Sequence, residues 1–228
     1  MKNKQNIRKQ YTHPHVDTLK QARRRQQLAA DIAAKGITDE YVLDAISSVP
    51  RHLFMPVGME DDAYVDRAFP IGEGQTISQP YTVAYQTQLL NVQPHDKILE
   101  VGTGSAYQAA ILAEMGAEVY TIERQKIFYD RNMHFQFLRS FPNLHFCYGD
   151  GFKGWPAEAP FDKILITAAP EELPIELTEQ LRIGGILVAP VGKHGNQRMI
   201  RVTRQHNGQL QEEVFDYFSF VPMLKGKV

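Results

Sequence analysis

The feature that most constrains the fold is a regular alternation of short apolar segments and helical segments over residues 97–190. The expected strands are Lys97–Val101, Glu118–Ile122, Leu144–Tyr148, Asp162–Thr167 and Gly184–Pro190. The expected helices between them are Ala109–Met115, Gln125–Ser140 and Leu173–Leu181. Strands that are separated by helices predict an α/β domain with a doubly wound, mainly parallel sheet.

Two further groups of elements flank this alternating region. Arg198–Arg204 and Glu213–Phe220 are separated by Asn207-Gly208, which predicts an antiparallel pair of strands that closes the sheet. On the N-terminal side, helices are expected at Asp17–Ala34, from a Thr38 cap to Pro50, and at Tyr81–Leu90. The predicted organisation is a basic flexible arm over residues 1–16 and one domain over residues 17–228.

Composition excludes several classes of protein. With 228 residues, 43% of them hydrophobic, the chain is long enough to bury a full core. Its single cysteine, Cys147, excludes an intramolecular disulfide framework and favours a reducing compartment. No apolar run approaches the roughly 20 residues of a membrane span, and the basic N-terminus lacks the apolar segment of a signal peptide. We therefore expect a soluble, cytoplasmic protein.

Charge is distributed unevenly along the chain. The formal net charge is −1, yet residues 1–25 hold eight Lys and Arg residues against the single acid Asp17. A basic arm of this kind can bind nucleic acid or an anionic surface, or it can be a solvated tail. The rest of the chain is acidic and would oppose a polyanion. We therefore expect neither a nucleic-acid partner nor a membrane partner.

Gly102-Thr103-Gly104 follows the first strand of the alternating region and precedes a helix. Glycines at this position let a ligand approach the backbone, but Tyr107 stands where the dinucleotide fingerprint needs its third glycine. Glu123 lies 21 residues after Gly102, close to the offset at which an acid meets ribose hydroxyls. Asp150-Gly151 ends the third strand, and no lysine phosphate loop is present. A ligand with adenosine and no phosphates fits best, and S-adenosylmethionine is the obvious candidate.

The stretch Pro70–Pro80 is expected to be a loop, because two glycines and two prolines interrupt it. It carries the hydroxyls of Thr76 and Ser78 and the amides of Gln75 and Gln79. Short hydrogen-bonding side chains on a backbone that bends sharply favour a binding loop over a simple connector.

These motifs together resemble the protein-L-isoaspartate O-methyltransferase family along residues 38–224. Leu99–Gln108 is typical of methyltransferases in general, whereas Gly74–Pro80 is the signature of this family. The other matching segments are Val49–Phe54, Gly149–Gly151, Ala159–Asp162, Thr167–Pro170, Pro190–Gly192 and Phe220–Pro222.

The resemblance implies a fold, a reaction and partners. The fold is the Rossmann-like fold of S-adenosylmethionine-dependent methyltransferases, with antiparallel C-terminal strands and N-terminal helices. The reaction transfers a methyl group from S-adenosyl-L-methionine to the free α-carboxylate of L-isoaspartyl residues in damaged proteins and peptides, and leaves S-adenosyl-L-homocysteine. The ester then collapses to a succinimide, and repeated cycles restore normal aspartyl linkages. A monomer that binds no metal is expected.

The resemblance also assigns roles to individual residues. Ser78 is expected to be the active-site residue, and Thr76 and Ile77 to lie between cofactor and substrate. Thr76, Ser78 and Val221 are the expected substrate-binding residues. The expected cofactor-binding residues are Thr76, Ile77, Glu100, Gly102, Gly104, Ser105, Glu123, Asp150 and Gly151.

The chemistry agrees with a site that lacks a strong base. An α-carboxylate has an ordinary pKa of roughly 3.3–3.7 and is ionised at neutral pH. What the protein must do is remove water and hold one carboxylate oxygen in line with the methyl group, a contribution of about 7–11 kcal/mol in the best model systems. Hydroxyls and backbone N–H groups of the Pro70–Pro80 stretch suit this task.

Some points stay open at the level of sequence. The family usually has glycine where this chain has Ala106, and the extra methyl group would be tolerated if the residue were helical. A methyltransferase that acts on another carboxylate or a small molecule is one alternative. A cofactor-binding module without catalysis, with the basic arm as its functional part, is another. Arg51, next to a helix end, is expected to pair with a surface acid.

Overall fold

The computed structural model describes residues 17–193 and 195–228, so the predicted arm over residues 1–16 lies outside the described residues. Seven strands form one sheet: β3 (Lys97–Val101), β4 (Glu118–Glu123), β5 (Leu144–Tyr148), β6 (Phe161–Ile166), β7 (Leu181–Val191), β8 (Gln197–Arg204) and β9 (Leu210–Phe218). Their order across the sheet is β5-β4-β3-β6-β7-β8-β9, and all neighbours from β5 to β7 are parallel. β8 and β9 close the sheet in antiparallel pairing. The predicted fold class is confirmed.

The register of the parallel strands places their carboxyl ends at one edge of the sheet. Val101 at the end of β3 pairs with Ile122 of β4 and with Ile166 of β6. Apolar residues of β3 and β6 are fully buried, as expected for strands covered on both faces. The residues that follow β3, β4 and β6 are therefore neighbours in space, although more than 60 positions separate the first from the last.

Three helices flank the sheet before β3, which confirms the N-terminal helical elaboration. They are α1 (Leu19–Ala33), α2 (Glu40–Ser48) and α3 (Pro80–Leu90), and Pro80 occupies the first turn of α3. The expected threonine cap of α2 is wrong, because the Asp39 carboxylate accepts the N–H groups of Tyr41 and Val42. In the described part of the chain, no helix is long and apolar enough to cross a membrane.

The helices between the strands differ in length from the expected ones, since the first is slightly longer and the other two are shorter. They are α4 (Tyr107–Glu114), α5 (Lys126–His134) and α6 (Ile175–Glu179). The expected helix over residues 125–140 is interrupted at Phe135, whose backbone is extended, and continues as a 3₁₀ turn over Gln136–Ser140. Phe135 and Phe137 both pack against Phe54, and this tertiary contact overrides the helical propensity of the segment.

Most of the stretch expected to be a loop is a β-hairpin. β1 (Phe69–Gly72) and β2 (Gln75–Ile77) pair in antiparallel fashion across Glu73 and Gly74. Both turn residues have positive φ angles, 49° and 70°, as a tight hairpin turn requires. Phe69, Ile71 and Ile77 are buried, so alternating apolar residues fix the hairpin on the core.

Arg51 is buried instead of pairing with a surface acid. It is 0% exposed, its guanidinium lies 4.9 Å from the centre of the Tyr107 ring, and one nitrogen donates to the Arg67 carbonyl at 3.3 Å. Burial lowers the pKa of Arg51 to about 10, which still leaves it charged at neutral pH. The Arg51 guanidinium therefore packs against the ring of Tyr107, the first residue of α4.

Candidate active site

A cleft of about 910 Å³ lies at the carboxyl edge of the parallel strands. Three parts of the chain form its walls: the turns after β3, β4 and β6; the hairpin with the start of α3; and residues 216–224. This is the edge at which open α/β sheets bind ligands, and the volume suits a cofactor of nucleoside size together with a peptide side chain.

The turn after β3 brings bare backbone to the cleft. Gly102 has a φ angle of 104°, and a Cβ atom added there would lie 2.7 Å from Oγ1 of Thr167. The Thr167 hydroxyl donates towards the carbonyl of Gly102 at 2.6 Å, so it is not free to move away. Only glycine fits at position 102, and sequence analysis missed Thr167 as the residue that imposes this requirement.

The next glycine in the turn, Gly104, is held at both of its peptide groups. Its N–H donates to the Glu123 carboxylate at 2.8 Å. Its carbonyl accepts from Nη2 of Arg131 at 2.9 Å and from Nδ2 of Asn132 at 3.0 Å. Both of these residues lie on α5, and the sequence carries no signal that α5 anchors the glycine turn.

Glu123 lies at the end of β4 as predicted and lines the cleft. Its second oxygen accepts the N–H of Gln125 at 2.7 Å. Burial raises the pKa of Glu123, and the hydrogen bonds from Gln125 and Gly104 act in the opposite direction. A carboxylate oxygen accepts more than one hydrogen bond, so Glu123 retains capacity for hydroxyls of a ligand.

Glu100 lies beneath the glycine turn and does not line the cleft. It is 0% exposed, one carboxyl oxygen accepts from the Thr121 hydroxyl at 2.5 Å, and among the described residues the other oxygen has no partner. Desolvation by burial raises the pKa of Glu100 to about 8. The carboxyl group is therefore largely protonated at neutral pH.

Ala106 is not helical but adopts the left-handed conformation immediately before α4. Its φ and ψ angles are 66° and 13°, and its side chain is fully buried. Non-glycine residues reach this conformation at a cost of roughly 1–2 kcal/mol. The neighbouring Ser105 hydroxyl accepts the N–H of Tyr107, the first residue of α4, at 3.3 Å.

The hairpin presents two hydroxyls to the same cleft. Side chains alternate between the two faces of an extended chain, so Thr76 and Ser78 lie on one side and Ile77 on the other. Thr76 is exposed and Ser78 half-buried, and both line the cleft, whereas the Ile77 side chain is 1% exposed and packs in the core. Any contact of Ile77 with a ligand therefore runs through its backbone.

Asp66 anchors this wall of the cleft. Its carboxylate accepts the N–H of Tyr81 in the first turn of α3 at 2.8 Å and Nε2 of Gln79 at 3.1 Å. It also pairs with Nζ of Lys35 at 2.6 Å. Ser78 stands next to Gln79, so Asp66 fixes the backbone that carries the Ser78 hydroxyl. Sequence analysis missed this residue, because it lies outside the signature and is isolated in the chain.

The third wall comes from residues 216–224, at the end of β9 and beyond it, and Gly151 after β5 adjoins them. Val221 lines the cleft as predicted, and its carbonyl accepts the N–H of Ala169 at 2.8 Å. Gly151 also lines the cleft, and a Cβ atom there would lie 2.5 Å from Cγ1 of Val101. Asp150 is outside the lining, because its carboxylate accepts the N–H groups of Phe152 and Gly226.

The structure thus brings together eight of the eleven residues that sequence analysis selected. Those that line the cleft are Thr76, Ser78, Gly102, Gly104, Ser105, Glu123, Gly151 and Val221. Ile77, Glu100 and Asp150 lie behind its walls. Over residues 17–193 and 195–228, no group of three or more His, Cys, Asp and Glu side chains could hold a metal ion.

The cleft suits an adenosine-containing cofactor without phosphates. Gly102 leaves a gap that a side chain would fill, and Glu123 presents a carboxylate beside it at the end of the next strand. A pyrophosphate group beside Glu123 would meet a carboxylate of the same charge, so this part of the cleft favours ribose hydroxyls over phosphates.

Comparison with known proteins places the chain among repair methyltransferases. The family model described as Protein-L-isoaspartate(D-aspartate) O-methyltransferase (PCMT) matches residues 23–228. A protein-L-isoaspartate O-methyltransferase from Christiangramia forsetii is 48% identical over 211 residues, which cover 92% of this chain and 99% of the relative. The corresponding protein from Flavobacterium johnsoniae is 50% identical over 212 residues, with the same coverage.

Solved structures share the fold. A protein-L-isoaspartate O-methyltransferase from Plasmodium falciparum, in complex with S-adenosyl-L-homocysteine, superposes with a TM-score of 0.76 at 24% identity. The match covers 89% of this chain and 99% of that one. Another protein-L-isoaspartate O-methyltransferase gives a TM-score of 0.76 at 22% identity and covers 87% of this chain and 65% of the other.

Proposed function

The chain belongs to the protein-L-isoaspartate(D-aspartate) O-methyltransferase family, and from that premise we propose how its cleft carries out methyl transfer to an isoaspartyl α-carboxylate. The observation that carries the proposal is the juxtaposition of two walls. The glycine turn after β3 and the hydroxyls of Thr76 and Ser78 face one cleft, although the hairpin and the turn are separate elements. S-adenosyl-L-methionine supplies an activated methyl group on a sulfonium, and S-adenosyl-L-homocysteine is left when the group has been transferred.

The turn after β3 and the end of β4 hold the cofactor in this proposal. The Glu123 carboxylate accepts hydrogen bonds from the ribose hydroxyls. Gly102 and Gly104 let the cofactor approach the backbone closely, and Ser105 borders the methionine part of the cofactor. Glu100, Ile77 and Asp150 support the site from behind the cleft wall. Glu100 acts through the Thr121 hydroxyl and Asp150 through the N–H groups that it accepts.

The protein does not need to deprotonate its substrate. The α-carboxylate of an isoaspartyl residue is ionised at neutral pH, so one of its oxygens is already a nucleophile. Glu123 is engaged by the N–H groups of Gly104 and Gln125, which suits binding better than proton transfer. Catalysis by orientation and exclusion of water is sufficient for this chemistry.

Thr76 and Ser78 provide that orientation. Their hydroxyls lie on one side of the hairpin strand and donate to the carboxylate oxygen that is not attacking. Hydrogen bonds to a charged group contribute roughly 1.5–3 kcal/mol each, enough to choose between the two carboxylate oxygens. Val221, on the opposite wall, contacts the main chain of the substrate, so the isoaspartyl residue is held between the two walls.

The direct test uses two peptides that differ only in one linkage. The protein is incubated with methyl-labelled S-adenosylmethionine and either the aspartyl or the isoaspartyl peptide. Base-labile label on the isoaspartyl peptide alone supports the proposal. Label on both peptides equally, or on a small carboxylic acid in preference to either, supports a different acceptor. Binding of the cofactor without any transfer supports a module that has lost catalysis.

Ser78→Ala tests the role of the hairpin. We expect turnover of the isoaspartyl peptide to fall about tenfold or more, because one hydrogen bond to the carboxylate is lost, whereas affinity for S-adenosyl-L-homocysteine stays unchanged. Ser140→Ala is the matched control, because Ser140 is exposed and lies outside the cleft. A parallel fall of cofactor affinity and turnover in the Ser78 variant would refute the assigned role.

We propose further that the enzyme acts as a monomer and without nucleic acid. Light scattering of the purified protein at assay concentration checks the first point. A titration with duplex and single-stranded DNA at low salt checks the second, since a basic arm would show itself by salt-dependent binding.

A further inference from the structure

Residues 223–228, which we call the strap, run along the carboxyl edge of the sheet after the cleft-lining Val221. The segment starts beside the end of β6, where Ala169 donates its N–H to Val221 and accepts from the N–H of Met223, both at 2.8 Å. It ends beside β4 and β5. The strap therefore spans the same edge of the sheet at which the cleft opens.

The far end of the strap is fastened to residues that follow β4. The Val228 N–H donates to the Arg124 carbonyl at 2.9 Å, and the Val228 backbone oxygen accepts the Lys126 N–H at 2.7 Å. The Arg124 side chain donates to the Gly226 carbonyl at 3.3 Å and towards the Lys225 carbonyl at 3.5 Å. Arg124 follows Glu123, so the fastening point adjoins the carboxylate expected to meet the ribose.

The middle of the strap is fastened to the end of β5. The Gly226 N–H donates to Oδ2 of Asp150 at 2.9 Å, while the other Asp150 oxygen accepts the N–H of Phe152. Asp150, which sequence analysis expected among the cofactor ligands, is in this structure a fastening point of the strap.

The strap also forms part of the cleft wall. Met223 and Leu224 line the cleft, and a Cβ atom on Gly151 would lie 3.3 Å from the terminal methyl of Met223. Gly151 and Met223 are therefore in close contact. The strap covers the side of the cleft that holds Glu123 and Gly151.

The contacts that hold the strap are mostly polar and exposed, so opening the strap costs little free energy. Residues 224–228 are all exposed, and none of them lies in a helix or strand. The added side-chain contacts are two cations over rings and one exposed hydrogen bond. Lys225 lies 5.4 Å from the centre of Phe152, Lys227 lies 4.8 Å from that of Tyr148, and the Tyr148 hydroxyl donates to the Val228 backbone oxygen at 3.1 Å. Segments with few buried apolar contacts and exposed hydrogen bonds open at far lower free energy than the core.

We propose that the strap closes the nucleoside side of the cleft and controls the release of the cofactor product, with Arg124 and Asp150 as the positioning residues that hold it shut. This inference rests on the proposed function, since the cleft must first bind S-adenosyl-L-homocysteine. It adds a gate on the cofactor side, which is opened without disturbing the hairpin that carries Thr76 and Ser78.

Gly226→Pro opens the strap without altering either positioning residue. Gly226 has a φ angle of 77°, which proline cannot adopt, and proline also lacks the N–H that Asp150 accepts. The matched control is Gly208→Pro in the β8–β9 turn. Gly208 has a φ angle of 80°, donates its N–H to the Gln205 carbonyl at 2.8 Å and lies outside the cleft. Arg124→Ala is the second variant.

The measurement is the dissociation rate of labelled S-adenosyl-L-homocysteine, chased with excess unlabelled compound. We expect about a tenfold faster release from Gly226→Pro, the factor that corresponds to roughly 1.4 kcal/mol. A smaller increase is expected for Arg124→Ala and none for Gly208→Pro. The KM for the isoaspartyl peptide and the melting temperature of the cofactor-free protein stay at their wild-type values, which separates a gate from general destabilisation.

Equal release rates in Gly226→Pro and the wild type overturn the strap inference and leave the proposed function intact. A wild-type protein that does not bind S-adenosyl-L-homocysteine overturns the proposed function and the strap with it. Faster release from Gly208→Pro as well would assign the effect to loosening of the whole sheet edge, and this also overturns the inference.

Discussion

The two principal walls of the cleft are built in opposite ways. The glycine turn after β3 is half-buried at Gly102 and Gly104. Its peptide groups are bonded to side chains from other elements: Thr167, Glu123, Arg131 and Asn132. The hairpin wall is exposed at Thr76 and half-buried at Ser78, and a single carboxylate, Asp66, fixes its junction with α3.

This difference corresponds to what each wall binds in the proposed function. A cofactor is the same molecule in every turnover, so a rigid site formed before binding loses the least entropy. An isoaspartyl residue occurs in polypeptides of any sequence, so its wall needs a few hydroxyls, an open face and room for the main chain. The comparison predicts that substitutions behind the glycine turn affect the cofactor and the fold, whereas substitutions behind the hairpin affect the substrate alone.

Gly102→Ala should have the largest effect of the substitutions that test this difference. The new methyl group meets Oγ1 of Thr167 at 2.7 Å in a backbone conformation that alanine rarely adopts. We expect kcat/KM to fall roughly 100-fold, which corresponds to a loss of ~3 kcal/mol. Affinity for S-adenosyl-L-homocysteine, measured by calorimetry, should fall by a similar factor.

Gly36→Ala is the control for backbone strain at position 102. Gly36 has a φ angle of 102°, nearly that of Gly102, but a Cβ atom there meets no atom within 4 Å. It should lower the melting temperature and leave cofactor affinity unchanged. If both variants lose cofactor affinity equally, the glycine turn is not a specific cradle.

Glu100→Gln tests the buried carboxyl group behind the glycine turn and should have the next largest effect. The pKa of Glu100 is about 8 in the folded protein against an ordinary value of 4.5, so the folded state binds more protons between these limits. The free energy of unfolding therefore falls as pH rises from about 4.5 to 8. Glutamine mimics the neutral form and removes this slope.

Chemical denaturation at pH 5 and pH 8 measures that slope in both proteins. The pKa of Glu123 is also raised, but Glu123 is present in both and its contribution cancels from the comparison. A slope that is identical in wild type and Glu100→Gln would show that Glu100 is ionised in the folded protein at neutral pH.

Asp66→Ala tests the hairpin side and should have a smaller effect. It removes the acceptor of the Tyr81 N–H and of Gln79, so the segment that carries Ser78 loses its anchor. We expect kcat/KM for the isoaspartyl peptide to fall about tenfold, in line with the ~0.5–2 kcal/mol of a lost helix cap. Cofactor affinity should not change.

Asp61→Ala is the matched control for Asp66. The Asp61 side chain is 95% exposed and pairs with Arg24 at 3.6 Å on the surface, so its loss should leave both steps intact. If Asp66→Ala weakens cofactor and substrate equally, the two walls are not independent and the comparison fails.

The sequence predicts the glycine turn after β3 better than it predicts the hairpin. The limits of β3 and β5 are confirmed, and Gly102 follows β3 and Glu123 ends β4 as expected, because apolar runs and strand-terminal motifs are local signals. At the hairpin the sequence predicts a loop, since glycines and prolines hide the alternation of Phe69, Ile71 and Ile77. At the hairpin the local composition favours a loop, whereas burial of the apolar side chains favours paired strands, and burial determines the observed structure.

The residues that sequence analysis missed all act from a distance along the chain. Thr167 is 65 positions from Gly102, Asn132 is 28 from Gly104 and Asp66 is 15 from Tyr81. Nothing in a single sequence links such positions, because the parallel sheet brings Thr167 and Asn132 to the glycine turn and the hairpin brings Asp66 to Tyr81. Arg51 shows the same limit, since only the packing of α4 reveals that its guanidinium lies beneath Tyr107.

Ala106→Gly should have the smallest effect, and it tests whether the Ala106 methyl group crowds the cofactor. Ala106 is held at φ 66° in a fully buried position, so glycine would relieve roughly 1–2 kcal/mol of strain and lose about 0.5–1 kcal/mol in chain entropy. We expect the free energy of unfolding to rise by no more than ~1 kcal/mol. The KM for S-adenosylmethionine should not change, because Ala106 is absent from the cleft lining. A KM that falls several-fold in this variant would mean instead that the alanine methyl crowds the donor, and that the wall is a compromise between fold and cofactor.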